Sequence, residues 1–348
     1  MIIFSATRVL MLFALSFVTA LLITPVVFSF LQKFHFKKSN IRDQESAPVF
    51  YQYHKDKAST PTMGGIIIWA TVLGIALVFL ILGNFLDGFA NYFNFVNRSE
   101  TYIPLFVLLF SALVGLFDDL MGIKGIGPHG GGFKMRYKIM LYGVVAVVCA
   151  WWFYFRLGWH TVYFPFIGAI NFGWWYIPFF IFVIVATAFS ANETDGLDGL
   201  AGGVFLFSFG ALDVVAFVLH QYDLAAMIAA LLGALLAFLW FNIYPAKFFM
   251  GDTGSMSLGI TLGVIALMTD TSLFLPFFSF IFVIESVSVI IQVLSKKIRK
   301  KKVFLSTPVH HHFQGLGWPE SQITMRFWIV SAVMTTLGLS LFFLARFA

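Results

Sequence analysis

Charge is what this chain has least of: only 11% of its 348 residues are Asp, Glu, Lys or Arg. That excludes an ordinary soluble domain, in which roughly a quarter of residues are charged and about half are apolar. Cysteine is scarcer still. A single thiol, Cys149, excludes a disulfide framework, and its place in an apolar run reads as a buried structural residue. No internal repeat, low-complexity tail or composition shift marks a second domain, so one domain over 1–348 is expected. Nor does the net charge of +6, with a pI near 9.3, imply a nucleic-acid partner. A basic face is the ordinary result of membrane topology and of contact with anionic lipid.

What the chain does have is apolar length. With 60% hydrophobic residues and a mean hydropathy of +0.90, it holds runs able to cross a ~30 Å hydrocarbon layer. They lie near 8–31, 62–83, 102–120, 137–156, 175–191, 201–220, 224–241, 256–270, 273–294 and 325–345. The fold class expected is therefore an all-α polytopic membrane protein with ten transmembrane helices. The first run is too long for a signal-peptide core and leads into no soluble domain, so it is expected to be retained. Residues 157–174, rich in aromatic and β-branched side chains with Gly168 and Gly173, predict a small outer hairpin. Of the 22 Lys and Arg residues, all but Arg8, Arg98, Arg156 and Arg346 fall in loops following odd-numbered spans. By the positive-inside rule those loops are cytoplasmic and both termini lie outside.

The few acids are not scattered. Asp118-Asp119, Asp195 with Asp198, and Asp252 each stand at the end of an apolar run, all on the cytoplasmic side by this topology. An ionised carboxylate near hydrocarbon costs a few kcal/mol, so clusters there imply a task. Neighbouring residues on a helix point about 100° apart, so one member of Asp118-Asp119 can face a cavity while the other meets the interface or a cation. In Asn192–Gly199, polar side chains recur among glycines, an arrangement that can offer oxygens to a hard cation or accept hydrogen bonds from a sugar or base. Asp252 precedes a helix whose first N–H groups suit a phosphate, although a lone Asp there is more often a cap. His310-His311-His312 suits phosphate oxygens better than a tetrahedral zinc. Ahead of the second span, Lys57 is a candidate phosphate or uracil contact, Pro61 reads as a helix start, and Gly64-Gly65 permits close approach. Asp213 and Glu285 fall within spans, where a transport role or simple interhelical hydrogen bonding are both open.

In order, TPTMGG, FDD, NxTDGLDGLAGG, FNxxPAxxFMGDTGS and PVHHHF resemble the polyprenyl-phosphate N-acetylhexosamine-1-phosphate transferases, above all their muramoyl-pentapeptide branch. The resemblance runs to the RFW string at Arg326. It implies joining UDP-MurNAc-pentapeptide to undecaprenyl phosphate with release of UMP, forming lipid I for peptidoglycan, and a need for Mg²⁺. It also implies ten helices in the bacterial cytoplasmic (inner) membrane with periplasmic termini, an active site in a cytoplasmic-face cleft, and a homodimer. Carried over by motif, Asp252 would hold the metal and Asp118 would be the catalytic carboxylate supported by Asp119. Asn192, Asp195, Asp198 and Asn242 would line the nucleotide-sugar site. Lys57 and Lys138 would contact uridine or phosphate, Lys138 being chosen because the family pattern places its Lys two residues after the Arg, here Arg136. His310, His311 and His312 would close the site. Direct attack by the lipid phosphate is expected rather than a phospho-Asp118 intermediate.

The chain departs from the family pattern at Gln314 and Glu193 and in the loop IKGIGPHGGGFKMR. Two rivals are a UDP-GlcNAc transferase of the same superfamily and a transporter or flippase. The second would want polar groups near the midplane and repeated halves.

Overall fold

Lipid offers the backbone no hydrogen-bonding partner, so long apolar runs must satisfy their own amides, and here they do so as helices. The computed structural model describes residues 2–34, 36, 60–86, 88–97, 100–127 and 131–347. The helices are α1 (Ile2–Lys33), α2 (Ile66–Leu82), a short α3 (Phe89–Phe93), α4 (Tyr102–Ile123) and α5 (Met135–Trp151, extended by a π turn to Arg156). Next come α6 (Tyr176–Thr194), α7 (Leu200–Val218), α8 (Tyr222–Asn242) and α9 (Asp252–Met268). A short α10 (Leu275–Phe278), α11 (Phe280–Arg299), α12 (Val309–Gly315) and α13 (Glu320–Phe347) complete the order. Between α5 and α6, β1 (Thr161–Phe164) pairs antiparallel with β2 (Gly168–Asn171), Phe164 opposite Gly168, which is the hairpin expected there.

Seven helices are long and apolar enough to cross a membrane, or eight if the bent pair Ser272–Phe278 and Phe280–Arg299 is one span. The apolar helices α2 and α9, at 17 residues each, are shorter. Every run marked in the sequence is largely helical, but the ninth is not straight. Its two halves meet at 90° around Ser279. Beyond the bend, α11 buries Glu285, Ser286, Ser288, Gln292 and Ser295 and exposes Val287, Ile290, Ile291, Leu294 and Ile298. A count of apolar residues over 273–294 registers a span; it does not register that the polar stripe of α11 faces protein and its apolar stripe faces outward. The helix start expected at Pro61 is also displaced, to Ile66. Residues 61–65 instead pair with another segment, described below.

Two helices form the centre. α9 is buried along its whole length, packed on α4 and α6, while α8 packs on α1 and α7. Helices apolar all round are expected in such positions. Where α4 crosses α9 there is no room for a side chain at Gly115, because a Cβ would run into the Asp252 carbonyl. That contact seats the start of α9 against the last turns of α4, where Asp118 and Asp119 lie. At the opposite end of the bundle, Arg8 pairs with Asp223 at 2.7 Å, Asn97 donates to the same carboxylate, and Glu100 accepts the Asp223 and Leu224 N–H groups. Cys149 is buried, as its apolar setting implies.

Candidate active site

Alternation of helix direction brings the C-terminal ends of α4, α6 and α8 and the N-terminal ends of α5, α7 and α9 to one end of the bundle. The acid-bearing motifs occupy those ends. Asp118 and Asp119 close α4, both buried, and their side chains diverge as adjacent helical positions require. Asp118 Oδ1 accepts the Phe133 backbone N–H at 2.5 Å, and its Oδ2 lies 2.9 Å from Lys138 Nζ. Asp119 turns the other way. Its Oδ2 accepts the Thr253 backbone N–H at 3.0 Å, satisfying one of the free amides in the first turn of α9.

Asp252 is the first residue of α9, preceded by Gly251 as the cap, so its carboxylate is not itself the capping group. Its Oδ1 receives Lys138 Nζ at 2.7 Å and Asn192 Nδ2 at 2.5 Å; the same amide nitrogen lies 3.2 Å from Ser255 Oγ. Three motifs far apart in sequence therefore meet at one ammonium group. Lys138 Nζ sits where oxygens of two buried carboxylates converge, a place that demands positive charge. Hard carboxylate oxygens with neutral amide and hydroxyl oxygens nearby are the donor types Mg²⁺ selects. Among the described residues no three His, Cys, Asp or Glu side chains group as a ready metal cage. Mg²⁺ does not need one, since it retains waters and is commonly held by one or two carboxylates plus substrate phosphates.

The Asn192–Gly199 loop divides in two. Asn192 points to Asp252 and Asp195 closes α6, whereas Asp198 is buried with its Oδ2 accepting the Ala246 N–H at 3.0 Å. The Asp198 N–H is bound by Glu320 and its carbonyl by Thr324 Oγ1, so α13 grips this loop from behind. Asn242 joins it from α8. Its Oδ1 accepts the Gly199 N–H at 3.1 Å and its Nδ2 donates to the Phe248 carbonyl at 2.8 Å. Both ends of the buried amide are thus bonded to backbone. Replacing Asn242 by Ala strands two backbone groups, each worth about 1–3 kcal/mol when buried and unmatched. The expected result is a lowered melting temperature together with impaired activity; an unchanged melting curve with activity lost would return Asn242 to direct substrate contact.

The other glycine-rich motif works through backbone. The Gly64 and Gly65 N–H groups donate to the Phe249 and Met250 carbonyls at 2.8 and 2.9 Å, and the Phe249 N–H returns to Pro61 at 2.9 Å. A Cβ at Gly65 would overlap Gly254, so only glycine lets this strand-like pairing hold the segment that delivers Asp252. Lys57 lies outside the described residues.

His310, His311 and His312 form part of α12, and each turns to a different partner. His310 is fully buried, its Nδ1 3.1 Å from Glu285 Oε2. His311 Nδ1 meets Gln314 Oε1 at 2.7 Å, and His312 Nδ1 accepts the Leu305 N–H at 3.2 Å. Gln314, where the sequence departs from the family pattern, thus keeps a polar partner for His311. Sequence reasoning missed the parts played by Ser255, Glu320 and Thr324, which no charge or spacing signal separates from ordinary polar residues. Glu285 was visible as an acid within a span. A cavity of about 540 Å³ between Asn171, Phe172, Trp175 and Phe182 lies beside the hairpin, away from these acids, and has no titratable lining residue.

Residues 101–270 match the model of glycosyl transferase family 4. A phospho-N-acetylmuramoyl-pentapeptide-transferase of Desulforamulus reducens is 39% identical over 331 residues, 93% of each chain. Proteins of the same name from Chloroflexus aggregans (36% identical, covering 88% of this chain and 83% of the relative) and Borreliella burgdorferi (40%, covering 82% of each) are also similar.

Proposed function

This chain belongs to the phospho-N-acetylmuramoyl-pentapeptide-transferase family, and from that premise we propose how its residues divide the reaction. The protein transfers phospho-MurNAc-pentapeptide from its UDP-linked donor to undecaprenyl phosphate, forming lipid I and UMP. The observation that carries the assignment of roles is the convergence of Asp118, Lys138 and Asp252 at one point.

An oxygen of the lipid phosphate attacks the sugar-bearing phosphorus of the donor. The bond from that phosphorus to the bridging oxygen breaks, and UMP leaves with the electron pair. Two anions must therefore meet, and positioning with charge neutralisation is the main catalytic need. Mg²⁺ fits the oxygen donors of Asp252 and Asp118, and when bound it neutralises phosphate charge. Asp118 holds the proton released if the lipid phosphate arrives protonated, leaving the stronger nucleophile. Lys138 contributes a permanent positive charge at the same place. Asp119 acts at one remove by fixing the first turn of α9, and hence Asp252. Asn192, Asp195 and the histidines of α12 face the donor, with Lys57 as a further anion contact. Asp198 and Asn242 shape the loop that leaves α6 after Asn192 and Asp195.

We read ten spans by counting the two shorter apolar helices with the seven long helices and the bent pair. The Lys and Arg bias puts the acidic end in the cytoplasm and both termini in the periplasm of an inner membrane. A homodimer is part of the same reading.

The test is to give purified protein Mg²⁺ and undecaprenyl phosphate with either UDP-MurNAc-pentapeptide or UDP-GlcNAc, and to follow UMP and the lipid product. UMP and a pyrophosphate-linked lipid are expected from the muramoyl donor alone. Turnover of UDP-GlcNAc alone would move the chain to the sister activity, and no UMP from either would overturn the assignment.

A further inference from the structure

One buried acid takes no part in the reaction as described. Glu285 lies on the protein-facing side of α11, fully buried, with Ile281 and Phe282 a turn before it and Ser286, Ser288, Gln292 and Ser295 also buried. A carboxylate withdrawn from water this completely is costly unless it is paired and hydrogen-bonded. Its pairing is specific. Oε2 lies 3.1 Å from His310 Nδ1 and accepts the His310 backbone N–H at 3.4 Å, so one oxygen holds both the ring and the main chain of the same residue. The opposite edge of that ring meets the Asn192–Gly199 loop, where a Cβ at Gly196 would run into His310 Nε2. His310 is thus pinned between a carboxylate behind it and the loop of Asn192 and Asp195 in front. His311 lies beside it, the rings tilted by 59° with centroids 4.1 Å apart.

An imidazole with one nitrogen held by a carboxyl group has its ring orientation set by that contact. We propose that Glu285 is a positioning residue for the transfer reaction: it fixes His310 with Nδ1 toward Glu285 and Nε2 against Gly196, in the loop that carries donor contacts. The carboxylate never meets substrate. It ensures that the edge of the ring nearest the donor is presented in one direction. This rests on the reading of His310 as a donor contact.

A double-mutant cycle separates the two. Glu285→Gln keeps the shape and a hydrogen-bond acceptor but removes the charge. His310→Asn keeps an amide near the position of Nδ1, able to bond Glu285, and deletes Nε2. Kinetics are measured for the muramoyl donor and for undecaprenyl phosphate in wild type, both single variants and the double variant, with thermal unfolding in parallel. Glu285→Gln is expected to lower kcat/KM for the donor about 10- to 100-fold. The KM for the lipid should stay within a few-fold, and the melting temperature should hold. In the His310→Asn background, Glu285→Gln should cost nothing more, because it acts only through the ring. An independent, additive loss, or a Glu285→Gln enzyme with normal donor kinetics beside a crippled His310→Asn enzyme, would overturn the proposal. If His310→Asn itself leaves donor kinetics intact, it is the reading of His310 as a donor contact that fails. Should Glu285→Gln unfold the protein, Glu285→Asp serves as the charge-retaining, displaced variant. It is expected to lose donor kcat/KM while keeping its fold, and normal donor kinetics in that variant would equally overturn the proposal.

Discussion

Replacing Asp252 by Asn is expected to lower Mg²⁺-dependent UMP release by a factor on the order of 10³ or more, with no loss of thermal stability. Asn has the same shape and still accepts hydrogen bonds from Asn192 and Lys138, so the packing of α9 against α4 is kept. What disappears is the negative charge, the one property a neutral amide cannot supply to a divalent cation. A buried carboxylate is also expensive to desolvate, so the variant should melt no lower than the wild type. Raising Mg²⁺ should restore only part of the activity. Near-normal turnover would remove Asp252 from the metal site.

Asp118→Asn is expected to reduce kcat by roughly 10²- to 10⁴-fold, the range for losing a positioned general base, with the donor KM changed only a few-fold. The amide oxygen can still accept the Phe133 N–H, so the loop after α4 stays in place. Asp119→Asn provides the contrast. Its carboxylate serves the Thr253 amide rather than the meeting point at Lys138, and an amide oxygen can do the same, so the loss should be markedly smaller. Equal losses from both substitutions would contradict the division of roles between neighbours. A phosphoryl group trapped on Asp118 during turnover would replace direct attack with a two-step path.

Much of this was legible in the chain because lipid makes sequence patterns strict. Apolar length alone located the helices, and the excess of Lys and Arg on one side aligned with the end where the acids gather. The motif around FDD, the Asn192–Gly199 loop and the residues before Ser255 did meet in space. What could not be read was which polar atoms face inward to the backbone. Asn242 and Asp198 read as substrate ligands in a polar motif, and the structure adds a backbone role for each, since their side chains also bind the Gly199, Phe248 and Ala246 backbone. Gly64 and Gly65 read as room for a ligand or helix, and the neighbour they admit is the segment leading to Asp252. The bend at Ser279 is invisible to hydropathy because α11 stays apolar on its outward face. Only the helix's rotation shows that Glu285 looks inward to His310.

The central claim is that acids from two separate motifs, Asp118 and Asp252, form a single divalent-cation site. Titrating the purified protein with Mn²⁺ and counting bound ion by electron paramagnetic resonance tests it without relying on turnover. One Mn²⁺ per chain is expected in the wild type, displaced by Mg²⁺, with at least tenfold weaker binding in Asp252→Asn. Equal stoichiometry and affinity in the two proteins would contradict it.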